Sequence, residues 1–253
     1  MSDAMPLVEM RGICKRFGHV EALRDVNFNV GRQEVVGLLG DNGAGKSTLI
    51  KILTGVYQPD RGEIYFDGER VSFLSPHHAR EMGIETVYQD LALVDLMNVS
   101  RNFFLGREPV RRIGPFKLLD HKRMNRITSE ALQEIGVRVH SPLEEVSVLS
   151  GGERQSIAIG RAVHFGVKLL ILDEPTSALS IKESRKVLGY VLEAKKRGLS
   201  VIFISHNIYH VYPVADRFTI LRHGAKLGDF AKEEVTPEEI SEMIVGTLTP
   251  ETG

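Results

Sequence analysis

The sequence predicts an α/β fold with a mainly parallel sheet, a small antiparallel β layer and an inserted helical subdomain. Three observations lead to this class. An apolar run at 35–39, typical of a buried parallel strand, is followed by a glycine-rich stretch and a helical pattern that Gly55 can end. Apolar strands and amphipathic helices alternate again in the last third of the chain. Between these two parts, residues 90–165 are mostly helical in pattern.

The antiparallel layer is predicted from segments on either side of the apolar run. Leu7–Ile13 and Val26–Val30 have strand patterns, and the second alternates apolar with polar residues. Asp67-Gly68 predicts a tight hairpin turn between strands at 64–66 and 71–73. Together these strands indicate a small antiparallel sheet beside the parallel one.

The remaining elements follow from capping signals and periodicity. Ser75-Pro76 is a typical helix start, and Ser180 with Glu183 and Thr236 with Glu239 form capping-box patterns. Further helices are predicted at 76–82, 95–106, 121–135, 152–164, 181–197 and from 237, and further strands at 84–88, 169–172, 201–204, 218–221 and 225–230.

Residues 1–253 are predicted to form a single domain. Its core is expected to comprise about 1–89 and 166–253, and residues 90–165 form the helical subdomain. The segment 107–117 differs from its surroundings because it contains two prolines, one glycine and three arginines. This composition predicts an irregular surface connection.

Composition limits the possible functions. The 253 residues are 42% hydrophobic with a net charge of −1, which gives no bulk electrostatic reason to bind nucleic acid or an anionic membrane. The single cysteine, Cys14, excludes an intrachain disulfide. Met1–Pro6 lacks the features of a signal peptide, and no apolar run approaches the ~18 residues of a membrane-spanning helix. We therefore expect any membrane role to come through a partner.

The glycine-rich stretch has the pattern of a phosphate-binding loop. It reads Gly40-Asp41-Asn42-Gly43-Ala44-Gly45-Lys46-Ser47-Thr48, which fits G-x-x-x-x-G-K-S. Glycines let the backbone wrap a phosphate, and the N–H groups at the following helix start stabilise anions. Lys46 can reach the β- and γ-phosphates, and the Ser47 hydroxyl can ligate Mg²⁺. A chance glycine-rich turn is the alternative, and the flanking strand and helix favour a nucleoside triphosphate site.

Two other stretches carry chemistry. The apolar strand at 169–172 ends in Asp173, which in a phosphate-loop protein belongs near Mg²⁺, and Glu174, which is placed to polarise an attacking water. The alternative is an ordinary acidic strand end. Ser150-Gly151-Gly152 directly precedes a helix and forms a second anion-binding N-terminus, for which a plain helix cap is the alternative.

The chain resembles ATP-binding-cassette (ABC) ATPases over nearly its whole length. The matching motifs, in the family's order, are GDNGAGKST at 40–48, Gln89, LSGGERQ at 149–155, LLILDEPTSAL at 169–179 and ISHN at 204–207. The resemblance implies a P-loop NTPase core, ATP and Mg²⁺ as ligands, and ATP hydrolysis by a head-to-tail dimer. ATP would then lie between the phosphate loop of one copy and Ser150, Gly151 and Gly152 of the other.

The resemblance also implies roles for three further residues. Phe17 would stack on adenine, although it could instead be a core aromatic. Gln89 would ligate Mg²⁺ and sense the γ-phosphate, although it could be a polar strand end. His206 would hydrogen-bond the γ-phosphate and orient Glu174, so that Glu174, His206 and Lys46 are the expected catalytic residues.

Two positions depart from the commonest form of the family. Glu153 stands where the family usually has glutamine, and we expect little effect from this change. Ser180 stands where the family usually has aspartate, which removes a carboxylate at the implied dimer interface and could slow communication between sites. The predicted catalytic residues are intact, so hydrolysis is still expected.

Several phrases resemble the ATPase subunits of bacterial monosaccharide importers, of the ribose, xylose and fructose type, and among single-cassette subunits most of all the fructose-import ATPase. They are FGHVEAL at 17–23, GVYQPD at 55–60 and ISHN at 204–207. The resemblance implies a second copy, transmembrane permease subunits and, indirectly, a periplasmic sugar-binding protein as partners, with no nucleic acid. It places the chain peripherally at the cytoplasmic face of the inner membrane. The alternatives are a transporter for another solute and a non-transport ABC ATPase.

Overall fold

The computed structural model describes residues 5–89, 91, 93–137 and 140–248. Residues 1–4, part of the segment interpreted above as lacking a signal peptide, lie outside the described residues. The strands are β1 (Val8–Phe17), β2 (Val20–Val30), β3 (Val35–Leu39), β4 (Arg61–Phe66), β5 (Glu69–Val71), β6 (Ile84–Val87), β7 (Val110–Ile113), β8 (Phe116–Leu119), β9 (Leu169–Asp173), β10 (Ser200–Ser205), β11 (Arg217–Arg222) and β12 (Ala225–Ala231). The helices are α1 (Lys46–Leu53), α2 (Pro76–Glu81), α3 (Val99–Phe103), α4 (His121–Glu134), α5 (Gly151–His164), α6 (Ile181–Lys196), α7 (Ile208–Val211) and α8 (Pro237–Val245).

The chain divides into two compact units. The first contains Met1–Thr86, Val167–Glu174 and Lys195–Gly253, and the second contains Val87–Gly166 and Pro175–Ala194. The second unit thus holds the segment expected to form the helical subdomain, together with most of α6.

A six-stranded sheet, in the order β12-β11-β3-β10-β9-β6, forms the centre of the first unit. β10 is parallel to both β3 and β9, β11 is parallel to β3, and β12 pairs antiparallel with β11. The prediction of a mainly parallel sheet is confirmed. Because β3, β9 and β10 run in the same direction, the segments that follow them emerge at one edge of the sheet, where ligands typically bind.

The predicted antiparallel layer is also confirmed, as a four-stranded sheet in the order β2-β1-β4-β5. Its β4–β5 turn is the predicted Asp67-Gly68 pair, with φ of +57° and +86° at these residues, as a two-residue hairpin of this type requires. β1 extends beyond the predicted end at Ile13 to Phe17, through shifts of register against β2. These irregularities break the alternation by which a strand is recognised in sequence.

The apolar side of α1 joins the two sheets of the first unit. Leu49 and Leu53 of α1 are buried in one cluster with Phe28 of the antiparallel sheet and Leu38 of the parallel sheet. Burial of each such side chain contributes about 1.5–3 kcal/mol. The start of α1 is therefore held at the edge of the sheet from which the glycine-rich loop emerges.

The second unit has its own core, to which α3, α4 and α5 contribute buried apolar side chains. Its first helix is shorter than predicted, because α3 covers Val99–Phe103 and not 95–106. Asn98 caps α3 by accepting a hydrogen bond from the Arg101 N–H. The buried Asn102 amide contacts the backbone of Val94 and Met97 at 2.7–3.1 Å, which holds the preceding turn outside the helix.

The interpretation of 107–117 as an irregular connection is wrong. β7 and β8 form an antiparallel hairpin in which Val110 pairs with Leu119 and Ile113 with Phe116. Gly114, with φ of +60°, supplies the positive φ that such a turn needs. The hairpin escaped prediction because nearly all of its side chains are exposed, so that neither strand has a buried face to produce an alternating pattern.

Among the described residues, no helix combines the length and the apolar character needed to cross a bilayer.

Candidate functional site

The glycine-rich loop connects β3 to α1 at the carboxyl edge of the parallel sheet. Gly40 and Gly45 have φ of +147° and +105°. A Cβ atom at Gly40 would lie 2.3 Å from the Leu221 carbonyl oxygen, and one at Gly45 would lie 2.9 Å from that of Ala22. Only glycine fits these two positions, and the loop backbone lies close against its neighbours.

The loop forms the floor of an open cleft of about 520 Å³. The cleft is lined by residues 41–48 together with Val20, Glu21, Ala22, His223 and Gly224. The N-cap residue of α1 is Gly45, which has no side chain to satisfy the first N–H groups of the helix. These N–H groups and the helix dipole favour an anion at this position.

Lys46 is buried at the first position of α1. Its Nζ donates to the carbonyl oxygens of Gly40 at 2.6 Å and Asp41 at 3.1 Å. Burial lowers the pKa of the Lys46 ammonium, and the carboxylates of Glu174 and Asp173 oppose that shift. A cationic donor is thus already directed into the loop that the sequence assigns to phosphates.

Asp173 and Glu174 lie where β9 ends. Burial raises the pKa of Asp173 and the neighbouring Glu174 raises it further, while Lys46 and Lys51 act in the opposite direction. Two adjacent, partly buried carboxylates repel each other and favour a bound cation. The acidic pair is therefore chemically suited to Mg²⁺, which prefers oxygen ligands.

Glu174 and His206 are in direct contact. The Glu174 Oε1 atom accepts the His206 backbone N–H at 2.8 Å and lies 2.7 Å from the His206 Nδ1 atom. The carboxylate is 13% exposed and the imidazole 52%, so the ring can still reach a ligand. The structure thus brings together two of the three predicted catalytic residues, although their catalytic roles stay predictions.

Phe17, the last residue of β1, is 42% exposed. Its ring meets the edge of Tyr57 at a centroid distance of 5.1 Å, and the Lys15 Nζ atom lies 5.6 Å from the ring centroid. This exposure excludes the alternative of a core aromatic. Phe17 does not line the described cleft, and adenine stacking stays a prediction.

The other predicted binding residues belong to the second unit. Gln89 follows β6 and is exposed. Ser150 is the N-cap of α5: its hydroxyl accepts the Glu153 N–H at 3.3 Å, and Glu153 accepts the Ser150 N–H at 2.9 Å. Glu153, the first departure from the family pattern, thus completes a capping box. The helix-cap alternative is observed at Ser150, and anion binding there stays a prediction.

Ser180, the second departure, caps α6 together with Glu183. The Glu183 carboxylate accepts the Ser180 hydroxyl at 2.7 Å and the Gly152 N–H at 3.4 Å. The Ser180 hydroxyl is the main cause that lowers the pKa of Glu183, with smaller contributions from the N–H groups of Ser180 and Gly152. One carboxylate therefore connects the starts of α5 and α6 within the second unit.

Sequence reasoning missed two contributors to the site. The buried Ser205 hydroxyl donates to Glu174 Oε2 at 3.2 Å. The β11–β12 turn supports the glycine-rich loop, because the Gly224 N–H donates to the Ala44 carbonyl at 3.1 Å. The Gly224 carbonyl in turn accepts the Arg24 N–H at 2.7 Å. The turn itself is predictable from His223-Gly224, but nothing in its residues indicates which loop it contacts.

Comparison with known proteins identifies the family of the chain. Residues 23–177 match the ABC transporter family. The chain is 46% identical over 244 residues to the xylose/arabinose import ATP-binding protein XylG of Sulfolobus acidocaldarius, covering 96% of this chain and 94% of that protein. It is 42% identical over 250 residues to the fructose import ATP-binding protein FrcA of Rhizobium meliloti, covering 97% and 96%.

Solved structures share the fold. The ADP conformation of MJ1267, an ATP-binding cassette of an ABC transporter, superposes with a TM-score of 0.83 at 24% identity over 96% of this chain and 98% of that chain. A dimeric post-hydrolysis state of the cassette MJ0796, bound to ADP and Pi, gives a TM-score of 0.74 at 24% identity over 89% and 98%.

The family match covers more than half of the chain, and the two relatives match it almost from end to end. The chain therefore belongs to the ABC transporter family and is an ABC-type ATPase.

Proposed function

We propose that the chain is the ATP-hydrolysing subunit that energises an ABC importer for a monosaccharide. The observation that carries this proposal is its similarity, over more than nine-tenths of each chain, to import ATP-binding proteins for xylose/arabinose and for fructose. No part of this subunit needs to contact the sugar, because its contribution is the energy of ATP hydrolysis.

The reaction follows from the residues around the phosphate loop. The backbone N–H groups at the start of α1 and the Lys46 ammonium stabilise the charge that develops on the transferred phosphoryl group. Glu174 polarises the attacking water, and His206 holds Glu174 and reaches the γ-phosphate. The 2.7 Å contact between the two side chains is the geometric support for this pairing.

Mg²⁺ is the metal that these residues suit. Ser47, Asp173 and Gln89 would hold it, and the adjacent, partly buried carboxylates at 173 and 174, each of which raises the cost of ionising the other, support the assignment. When bound, the ion neutralises charge on the β- and γ-phosphates.

We assign the active form to a head-to-tail dimer, with the two compact units of each chain acting as one ABC ATPase domain. In this dimer, Ser150, Gly151 and Gly152 of a second copy contact the γ-phosphate held by the first, and Phe17 stacks on adenine. Closure on ATP would drive transmembrane permease subunits between inward- and outward-facing states, and hydrolysis would reset them. The chain would act peripherally at the cytoplasmic face of the inner membrane, with a periplasmic sugar-binding protein as an indirect partner.

Uptake measurements test the function. In a strain that lacks this chain, we expect uptake of one among labelled xylose, arabinose, fructose and ribose to be lost. Wild-type protein should restore it, and Glu174→Gln should bind ATP without restoring it. The Glu174→Gln variant is nearly isosteric with the wild type, so failure to transport would reflect chemistry and not folding.

Unchanged uptake of every monosaccharide in the deletion strain would contradict the sugar assignment. Loss of uptake for an amino acid or another solute would replace it with a different importer. Steady ATP hydrolysis by Glu174→Gln would contradict the role given to Glu174.

A further inference from the structure

The β7–β8 hairpin is a surface feature that the proposed function leaves unused. Nearly every side chain from Val110 to Leu118 is exposed on both faces, although an isolated two-stranded hairpin is only marginally stable in water. Phe116 is 69% exposed and Ile113 is 50% exposed. Large apolar side chains that are kept together in solvent typically mark a contact with a partner.

The hairpin is anchored at its base to the second unit. The Asp120 N–H donates to the Pro109 carbonyl at 2.9 Å, which closes the base of the two strands. The Asp120 carboxylate then accepts the Arg123 N–H at 3.0 Å and caps α4. The tip is therefore presented from the start of a packed helix and not from a loose loop.

Charge on the hairpin is of one sign. Between Val110 and Leu119 there are three basic residues and no acidic one, whereas the whole chain carries a net charge of −1. Arg112 pairs directly with Lys117 across the strands, an arrangement in which like charges destabilise a sheet. Within the described part of the chain, Arg111, Arg112 and Lys117 have no ion-pair partner. Anions supplied from outside the chain would relieve this repulsion.

The apolar and basic side chains lie in successive layers along the hairpin. Ile113 and Phe116 form the cross-strand pair next to the turn, and Arg112 with Lys117 forms the next pair. The layers are about 3.3 Å apart, the rise of one strand residue. An apolar tip backed at once by basic side chains suits the boundary between acyl chains and phosphate headgroups.

We propose that this hairpin binds the surface of an anionic phospholipid bilayer, with Ile113 and Phe116 in the interface and Arg111, Arg112 and Lys117 at the lipid phosphates. An acidic protein surface would complement the basic residues but gives no reason for an apolar pair at the tip. This lipid contact goes beyond the proposed transport function and does not depend on the solute. It also means that the chain has a membrane contact of its own, in addition to any made through permease subunits.

Vesicle flotation with the purified full-length chain tests the proposal. We expect binding to vesicles of phosphatidylcholine with about 30% phosphatidylglycerol, little binding to phosphatidylcholine alone, and weakening by added salt. Each basic side chain removed should reduce affinity about 5-fold, so that Arg111→Gln/Arg112→Gln/Lys117→Gln should lose on the order of 100-fold. Ile113→Ser/Phe116→Ser should also weaken binding while leaving the salt dependence in place.

The matched control is Arg126→Gln/Arg185→Gln/Lys196→Gln, which removes the same charge from exposed positions on α4 and α6. It should bind like the wild type, and ATP hydrolysis by all variants should be unchanged, which checks their folding. Equal binding of wild type to both kinds of vesicle, or equal losses in the hairpin and control variants, would overturn the proposal. So would hairpin variants that bind vesicles normally but no longer co-purify with permease subunits, since the partner would then be a protein.

Discussion

Contacts on both carboxylate oxygens set the direction of the Glu174 side chain. Oε1 accepts the His206 backbone N–H at 2.8 Å, and Oε2 accepts the Ser205 hydroxyl at 3.2 Å. Glu174 also has φ of +49°, a left-handed conformation that costs a non-glycine residue about 1–3 kcal/mol. Its N–H donates to the Ile204 carbonyl at 3.0 Å. A costly backbone conformation that neighbouring groups hold in place is typical of a functional position.

We expect Ser205 to position Glu174, because its hydroxyl donates to the carboxylate at 3.2 Å and is itself oriented by accepting the Asn207 N–H at 3.1 Å. Ser205→Ala removes one contact from the carboxylate, and we expect kcat for ATP hydrolysis to fall about 10-fold with KM for ATP little changed. Ser205→Thr keeps the hydroxyl and should retain most of the rate. A steady-state comparison of the two variants checks this. Equal losses in both, or a change in KM alone, would assign Ser205 a purely structural role.

Among the elements, the β4–β5 turn also forms ion pairs with other parts of the first unit. Asp67, in the β4–β5 turn, forms ion pairs with Arg32 and with Lys168, whose Nζ lies 2.6 Å from Oδ2. These hydrogen bonds, that of Lys168 first, lower the pKa of Asp67. A turn of the antiparallel sheet is thereby connected to the residue that precedes β9.

Asp67→Asn should keep the turn and lose the ion pairs. Because the folded-state pKa of Asp67 is lowered, its stabilisation is fully present above the unfolded-state value of about 3.9 and is lost as pH falls through the folded-state value. We expect the variant to be less stable than the wild type at pH 7 by at most about 1 kcal/mol, since the side chain is partly exposed. Urea unfolding should show this difference shrinking only below about pH 4.

Asp25→Asn is the matched control for this experiment. Asp25 also has a positive φ, of +50°, and it is not one of the ion-paired side chains in the described ranges. Its substitution should change the free energy of unfolding by less than about 0.5 kcal/mol at pH 7. If Asp67→Asn lowered the free energy of unfolding by the same amount at every pH, the turn conformation, and not the charge of Asp67, would be responsible.

At the scale of the whole molecule, the two candidate anion-binding helix starts belong to different compact units. The phosphate loop and α1 are in the first, and Ser150–Gly152 with α5 is in the second. In the proposed head-to-tail dimer, each ATP needs one of each from different copies. A copy altered at one helix start should therefore form one complete site when it pairs with a copy altered at the other.

Mixing two inactive variants tests this arrangement. Lys46→Ala should lose ATP hydrolysis because its own phosphate loop is defective. Ser150→Arg should keep ATP binding but lose hydrolysis. A mixed dimer has one site in which both contributors are intact, so an equal mixture should recover up to about a quarter of the wild-type sites. Hydrolysis by Ser150→Arg alone at the wild-type rate, or a mixture as inactive as its components, would count against the composite site.

The parts of the fold that could be predicted are those with local signals. The glycine and lysine spacing of the phosphate loop is uncommon outside phosphate-binding loops. The capping boxes that begin at Ser180 and Thr236 each span four residues and mark the start of a helix. The parallel sheet followed from apolar runs long enough to be buried on both faces. These signals depend only on residues that are close together in the sequence, so they can be recognised without knowing the fold.

The parts that could not be predicted depend on residues distant in sequence. Ser205 reaches Glu174 because β10 pairs with β9 in the register that places Ile204 beside Asp173, and no local pattern determines that register. The start of α3 depends on the buried Asn102 side chain folding back onto Val94. The β7–β8 hairpin has no buried face, so hydrophobic periodicity could not reveal it.

The position of β3 has a consequence for the order in which the nucleotide site can form. β3 leads into the phosphate loop, yet its two neighbours in the sheet are β10 and β11, which are made more than 150 residues later. Gly224, whose N–H donates to the Ala44 carbonyl, is made later still. A chain emerging from the ribosome therefore carries the residues of the predicted phosphate loop long before it has the strands that hold them in place. The cleft at this loop can therefore form only after β10, β11 and the β11–β12 turn have been made, so a nascent chain has little chance of hydrolysing ATP before these strands are present.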